Sequence, residues 1–168
     1  MNTDLVMPSG NEEALAEMAK KLGYASLIYA YEKQPKVKNS SPIAVFTTQK
    51  GGFLTIGRSC MDLEKGKMNY LTDLELEGAQ DRYHHRQSGL NQVYAALAKK
   101  QKTIVCLNLR LLLTSKEPDK ILGRMMQNVR ICRKYGIEVR IYSFATTPYE
   151  MRSPKDLQAM GRVLGIYS

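Results

Sequence analysis

The chain has 168 residues, of which 43% are hydrophobic and 24% charged, a composition typical of one folded domain rather than of a disordered chain. No apolar run approaches the roughly 20 residues of a membrane span, and the N-terminus shows no secretory signal, so we expect a cytoplasmic protein without membrane contact. The net charge is +9, but residues 1–80 carry −1 and residues 81–168 carry +10, which favours a polyanionic partner such as nucleic acid over an ordinary solvated basic surface.

In the first half of the chain, short apolar segments surround one amphipathic helix. Apolar residues from Leu15 to Leu22 recur at helical spacing, which predicts a helix over Asn11–Leu22 that ends at Gly23. The pair Gly51-Gly52 lies between two apolar segments and is typical of a hairpin turn. Strands are predicted over Leu5–Met7, Tyr24–Tyr31, Ile43–Thr48, Phe53–Ile56 and Met68–Leu74.

The second half alternates helices and strands more clearly. The predicted elements are a helix from the cap Ser88 to Lys100, a strand over Thr103–Leu107, a helix over Pro118–Tyr135 ended by Gly136, a strand over Ile137–Ser143, and a last helix with Ser153 as its cap, Pro154 at its first position and Gly165 at its end. This order implies parallel strands joined by helices, as in a barrel or an open doubly wound sheet.

The strand over Ile137–Ser143 favours the barrel. Ile137, Val139 and Ile141 are apolar and suit packing under helices, whereas Glu138, Arg140 and Tyr142 point to the opposite face. A polar row is easier to place inside a barrel, where Glu138 and Arg140 pair, than on a sheet covered on both faces.

Motifs for common enzyme sites are weak. The stretch Gly52–Ser59 has P-loop spacing but a strand-like interior, and Cys60, Cys106 and Cys132 are too widely spaced for a disulfide framework or a zinc site. His84 and His85 are adjacent, so one metal ion rarely takes both. The basic stretch from Arg82 to Arg86 is a better candidate for contact with phosphate, with a plain surface loop as the alternative.

Two features of the second half suggest anion contacts. On the helix over Pro118–Tyr135, Lys120, Arg124, Arg130 and Lys134 form one arc without a carboxylate, with Ile131 as an exposed apolar contact; an ordinary solvated face is the alternative. The turn at Arg152 precedes the last helix at the carboxyl end of a strand, where ligands bind in parallel α/β folds, although simple capping explains it equally well.

The blocks over roughly residues 82–165 resemble ribonuclease P protein component 3, a family of archaea and eukaryotes. They are Ser88–Val93, Leu97–Lys100, Lys134–Gly136, Arg152–Leu157 and Leu164–Gly165. The resemblance implies a TIM-barrel-like protein that lacks the metal ligands of related phosphoesterases. It also implies a non-catalytic subunit without a cofactor of its own. The ribonuclease P RNA, with Mg²⁺, then removes the 5′ leader of precursor tRNA, and component 2 and other protein subunits are the protein partners.

We therefore expect one TIM-barrel-like α/β domain over residues 1–168, shortened or incomplete because residues 43–80 are short for full βα units. The alternatives are a metal-dependent phosphoesterase of a related barrel family and a protein-interaction scaffold without RNA contacts. The candidate RNA-binding residues are Arg82, His85, Arg86, Arg110, Arg124, Arg130 and Arg152.

Overall fold

A computed structural model describes residues 2–31, 44–48, 54–78, 80–81 and 86–167. Within these residues, parallel strands alternate with helices. The strands are β1 (Thr3–Val6), β2 (Ser26–Tyr31), β3 (Ala44–Thr48), β4 (Ile56–Gly57), β5 (Tyr70–Leu71), β6 (Ile104–Asn108) and β7 (Val139–Tyr142). The α-helices are α1 (Glu12–Leu22), α2 (Asp62–Lys65), α3 (Gln92–Gln101), α4 (Leu109–Thr114), α5 (Pro118–Tyr135) and α6 (Pro154–Leu164), with short 3₁₀ turns at Leu74–Leu76 and Pro148–Glu150.

The strands form two parallel sheets that meet at a seam between β1 and β7. One sheet has the order β1-β2-β3 and the other β4-β5-β6-β7. Across the seam, the N–H of Phe144 donates to the carbonyl of Leu5 at 2.9 Å, and the N–H of Met7 donates to the carbonyl of Ala145 at 2.8 Å. The strands therefore follow one another in the continuous order β3-β2-β1-β7-β6-β5-β4.

The side chain of Asp4, on β1, also forms hydrogen bonds across this seam. Its Oδ1 accepts from the N–H of Ser143 at 2.8 Å and from the N–H of Leu5 at 2.9 Å, and its Oδ2 accepts from the Ser143 hydroxyl at 2.5 Å. Asp4 is completely buried, and burial raises its pKa to about 6, although the bonds from Ser143 act in the opposite direction.

Side chains inside the curved sheet form one apolar cluster, and those outside it pack under the helices. The inner cluster consists of Leu5, Ile28, Ala30, Tyr70, Cys106, Tyr142 and Phe144. Val6, Leu27 and Leu107 point the other way and contact residues of α1, α5 and α6. This alternation is that of a parallel barrel surrounded by helices, so the predicted TIM-barrel-like α/β fold is confirmed.

The polar row predicted for β7 is also present. Arg140 donates from Nε to Oε1 of Glu138 at 2.6 Å and from Nη1 to the hydroxyl of Tyr142 at 3.3 Å. Tyr142 is completely buried among the inner side chains, whereas Glu138 is exposed. The predicted pair of Glu138 and Arg140 therefore forms, but it is not enclosed in the barrel interior; of the predicted row, only Tyr142 belongs to the inner cluster.

One local prediction is wrong, and one helix was missed. Ser88 does not cap α3, which begins at Gln92 because the side chain of Asn91 accepts from the N–H groups of Val93 and Tyr94. The helix α4 was not predicted; it begins directly after β6, where Asn108 accepts from the N–H of Leu111.

A hairpin was also expected at Gly51-Gly52. These glycines lie outside the described residues, but β3 pairs in parallel with β2, and β4 pairs in parallel with β5. The expected strand over Met68–Leu74 is reduced to the two residues of β5. The short strands β4 and β5 agree with the brevity expected of residues 43–80.

Candidate nucleic-acid interface

A groove of about 780 Å³ lies between α5 and the segment 86–92, which leads into α3. Its basic lining residues are Arg86, Arg130 and Lys134, and within the part of the chain that the structure describes no Asp or Glu lines it. Polar amides and apolar side chains complete the lining, among them Asn91, Gln127, Met126 and Tyr135. A concave surface with cations and without carboxylates attracts polyanions.

The helix α5 presents Arg130 and Lys134 to this groove because its other side belongs to the core. Pro118 occupies the first turn, and Gly136 ends the helix in a left-handed conformation with φ of 63°. The buried side consists of Ile121, Met125, Asn128, Val129 and Cys132, together with Arg124. Helical periodicity then leaves residues 126, 127, 130 and 134 on the groove side.

Arg124 is a correction to the predicted basic arc. Its side chain is only 4% exposed, and Nη1 donates to the carbonyl oxygens of Glu75 at 2.7 Å and Glu77 at 3.3 Å. The arginine therefore satisfies backbone acceptors inside the fold, and the arc that faces solvent does not contain it. Ile131 is likewise not an isolated surface contact, because it is half-buried and packs against the apolar cluster beneath α3.

Asp81 connects the buried Arg124 with the exposed Arg86. Its Oδ1 accepts from Arg124 Nε at 3.0 Å and from the N–H of Gln87 at 2.8 Å, and its Oδ2 lies 3.4 Å from Nη1 of Arg86. Burial raises the pKa of Asp81, but the bond from Gln87 and the contacts with Arg124 and Arg86 outweigh burial, so the pKa lies below its ordinary value. Asp81 therefore stays ionised and holds both arginines.

A second polar chain supports the groove from below. The hydroxyl of Ser88 lies 2.5 Å from Oδ1 of Asn128, and Nδ2 of Asn128 donates to Oε1 of Glu75 at 2.7 Å. Glu75 is 1% exposed, burial raises its pKa to about 7, and its Oε2 has no hydrogen-bond partner among the described atoms. This chain fastens the segment 86–92 to the inner side of α5.

The remaining predicted contacts lie elsewhere. Arg110 forms an ion pair with Glu150 at 3.3 Å. Arg152 is exposed and donates to the carbonyl oxygens of Tyr149 and Met151. Both residues lie near the carboxyl ends of β6 and β7, whereas Arg86 and Arg130 line the groove.

Arg82 and His85 lie outside the described residues. RNA contact stays a prediction for every residue of the set. Asp81 was missed by sequence reasoning, since a single acid in a basic stretch gives no signal until its partner Arg124, 43 residues away, is known.

The carboxyl ends of β4, β5 and β6 hold a polar group of their own. Asn108 donates from Nδ2 to Oδ1 of Asp73 at 2.8 Å, and Nε of Arg58 lies 3.8 Å from Oδ2 of Asp73. Across the described ranges, no three His, Cys, Asp or Glu side chains come together as a metal site. No described helix is long and apolar enough to cross a membrane.

Comparisons with known proteins confirm the resemblance found in the sequence. No protein-family model matches the chain. Ribonuclease P protein component 3 of Methanosarcina mazei is 29% identical over 178 aligned positions, which cover 92% of this chain and 74% of that protein. The corresponding protein of Methanosarcina barkeri is 32% identical over 83 residues, 48% of this chain and 35% of that protein. The matched regions thus span between about a third and three quarters of these relatives.

Solved structures agree with the fold. A chain in the cryo-EM structure of archaeal ribonuclease P with mature tRNA matches with a TM-score of 0.75 at 15% identity, over 96% of this chain and 82% of that one. At this identity the likeness concerns the arrangement of strands and helices.

Proposed function

We propose that this chain, a homologue of ribonuclease P protein component 3, is a non-catalytic protein subunit of ribonuclease P. In this assembly the RNA removes the 5′ leader of precursor tRNA, and Mg²⁺ is used by the RNA. The protein needs no cofactor of its own. Component 2 and other protein subunits are its protein partners, precursor tRNA is met through the holoenzyme, and the cytoplasm is its location.

The observation that carries the proposal is the groove beside α5. Arg86, Arg130 and Lys134 line it without any described carboxylate in the lining. Lysine and arginine side chains release counterions when they meet phosphates, and this release supplies most of the sequence-independent affinity for nucleic acid. Arg86 also lies beside Asp81 at 3.4 Å, whereas Arg130 and Lys134 face no acid among the described lining residues. We assign these residues the role of phosphate neutralisation, which lowers the Mg²⁺ concentration that the RNA requires.

The test is binding to an archaeal ribonuclease P RNA over a series of salt concentrations. The double variant Arg86→Ala/Arg130→Ala removes two cations that line the groove and should bind more weakly. Its plot of log K against log salt should be shallower by about 1.4, roughly 0.7 for each lost phosphate contact. The matched control is Lys20→Ala/Lys21→Ala, which removes the same charge from two exposed residues at the end of α1.

The outcomes separate the parts of the proposal. Unchanged affinity and slope in the arginine variant would show that Arg86 and Arg130 do not contact the RNA. An equal loss in both variants would mean that net charge alone governs binding. Absence of RNA binding by the unaltered chain at low salt, or cleavage of a phosphodiester substrate by the purified chain without RNA, would contradict the proposed function.

A further inference from the structure

We infer that Gly123 and Asp81 position the guanidinium of Arg86 on the surface of α5, so that it meets an RNA phosphate without rearrangement. The inference rests on the proposed function and assigns positioning roles to two residues that do not themselves contact the RNA. Under this inference, the groove holds Arg86 in position before the RNA binds.

The first support is the space above Gly123. A Cβ atom at this position would lie 2.7 Å from both Cζ and Nε of Arg86 and 3.0 Å from Nη2. These distances are too short for non-bonded atoms, so the guanidinium lies directly against the helix backbone, and a side chain at position 123 would displace it from there. Glycine in a helix interior costs about 1 kcal/mol relative to alanine. The close approach of the Arg86 guanidinium is a physical reason for glycine at this position.

The second support is the anchor on the other side of the same guanidinium. Asp81 lies 3.4 Å from Nη1 of Arg86 and is itself fixed by Arg124 and by the N–H of Gln87. Arg86 is thus held between a carboxylate and a helix backbone, while its side chain remains 48% exposed. An ordered cation loses less rotamer entropy on binding than a mobile one.

The third support is the alignment of the cations along α5. Positions 123, 127, 130 and 134 follow one side of the helix, and Gln127, Arg130 and Lys134 line the groove together with Gly123. By holding Arg86 over position 123, the structure extends the cationic row by two turns beyond Arg130. At 1.5 Å per residue the row is about 16 Å long, enough to follow a nucleic-acid backbone over several phosphates.

The test is Gly123→Ala, which leaves the net charge unchanged. The added methyl group displaces Arg86, so affinity for the ribonuclease P RNA should fall about tenfold, the size of one lost charge-assisted contact. The plot of log K against log salt should be shallower by about 0.7, as in Arg86→Ala. The matched control is Gly161→Ala in α6, where the new Cβ would lie at an ordinary 3.5 Å from Ile141. Both changes raise helix propensity, and circular dichroism checks that both variants are folded.

A double-mutant cycle decides whether the effect passes through Arg86. In the Arg86→Ala background, Gly123→Ala should have no further effect on affinity. A second variant, Asp81→Asn, removes an acid near the bound polyanion, so general electrostatics predicts tighter binding, whereas loss of the anchor predicts weaker binding with a smaller salt slope.

The inference is overturned when Arg86→Ala weakens binding but Gly123→Ala binds like the unaltered chain. It is also overturned when Gly123→Ala has its full effect without Arg86, or when Asp81→Asn binds more tightly. These results would contradict the positioning roles of Gly123 and Asp81 and would leave the proposed RNA-binding function unaffected. When the unaltered chain binds no RNA, the proposed function fails and the inference fails with it.

Discussion

The buried carboxyl groups of Glu75 and Asp4 should make the protein less stable as the pH rises from 5 to 8. Burial raises the pKa of Glu75 from its ordinary 4.5 to about 7 and that of Asp4 from 3.8 to about 6. The folded state therefore holds these protons more tightly than the unfolded state. The resulting stabilisation is complete below the unfolded pKa values and is lost as the pH passes through the folded ones.

The shifts give the size of the effect. Glu75 moves by about 2.5 pKa units and Asp4 by about 2, and each unit corresponds to about 1.4 kcal/mol. Each group should therefore lower the free energy of unfolding by roughly 3 kcal/mol between the acidic and the alkaline limit. Asp62, Asp81 and Glu150 have lowered pKa values, so their opposite contribution appears only in more acidic solution.

The assay is urea unfolding from pH 5 to pH 8 at constant ionic strength. Glu75→Gln keeps the oxygen that accepts from Asn128 but cannot ionise. As the pH rises, the free energy of unfolding of this variant should therefore fall by about 3 kcal/mol less than that of the unaltered chain. Titrating groups that both proteins contain contribute equally to both stability curves, so the difference between the curves reports the contribution of residue 75. Glu13→Gln, an exposed change on α1, is the matched control and should run parallel to the unaltered chain. A Glu75→Gln curve that also runs parallel would refute the reasoning.

Two further predictions concern hydrogen bonds that close the fold. Ser143→Ala removes the hydroxyl that donates to Asp4 and accepts from the N–H of Ala145, so urea unfolding should show a loss of about 2 kcal/mol; a loss below 0.5 kcal/mol would mean that the seam does not depend on this side chain. Ser153→Ala removes the cap of α6 that accepts from the N–H of Asp156 and should cost about 1 kcal/mol, seen as a lower thermal midpoint, whereas an unchanged midpoint would show that the cap contributes nothing.

Elements encoded by local signals could be predicted from the sequence. The helix α5 has the predicted bounds, from Pro118 to the residue before Gly136. At α6, Ser153 and Asp156 exchange hydrogen bonds in the capping box that their spacing indicated. The alternation in β7 also predicted that Tyr142 enters the barrel, although Glu138 of the same predicted row is exposed. In each case the deciding contacts lie within a few residues along the chain.

The errors arise where the deciding partner is distant or where two residues offer the same local chemistry. Ser88 and Asn91 are both good caps, and Ser88 is occupied by Asn128, 40 residues away. Arg124 belongs to the basic arc by helical periodicity, but its guanidinium reaches Asp81 and the carbonyl groups around Glu75. Helical periodicity gives the direction in which a side chain leaves the helix; it does not give the partners that a long side chain reaches.

The distribution of paired charges indicates which surface of the barrel meets a polyanion. In barrel enzymes, substrates bind at the carboxyl ends of the strands. Here two of the arginines at those ends face acids, Arg58 beside Asp73 and Arg110 beside Glu150. In the groove beside α5, Arg86 also lies beside an acid, Asp81, but the lining that includes Arg130 and Lys134 contains no described carboxylate. Under the proposed function, the cations of the outer helix layer would contact the RNA, and the apolar side chains packed beneath α5 would hold that helix in place.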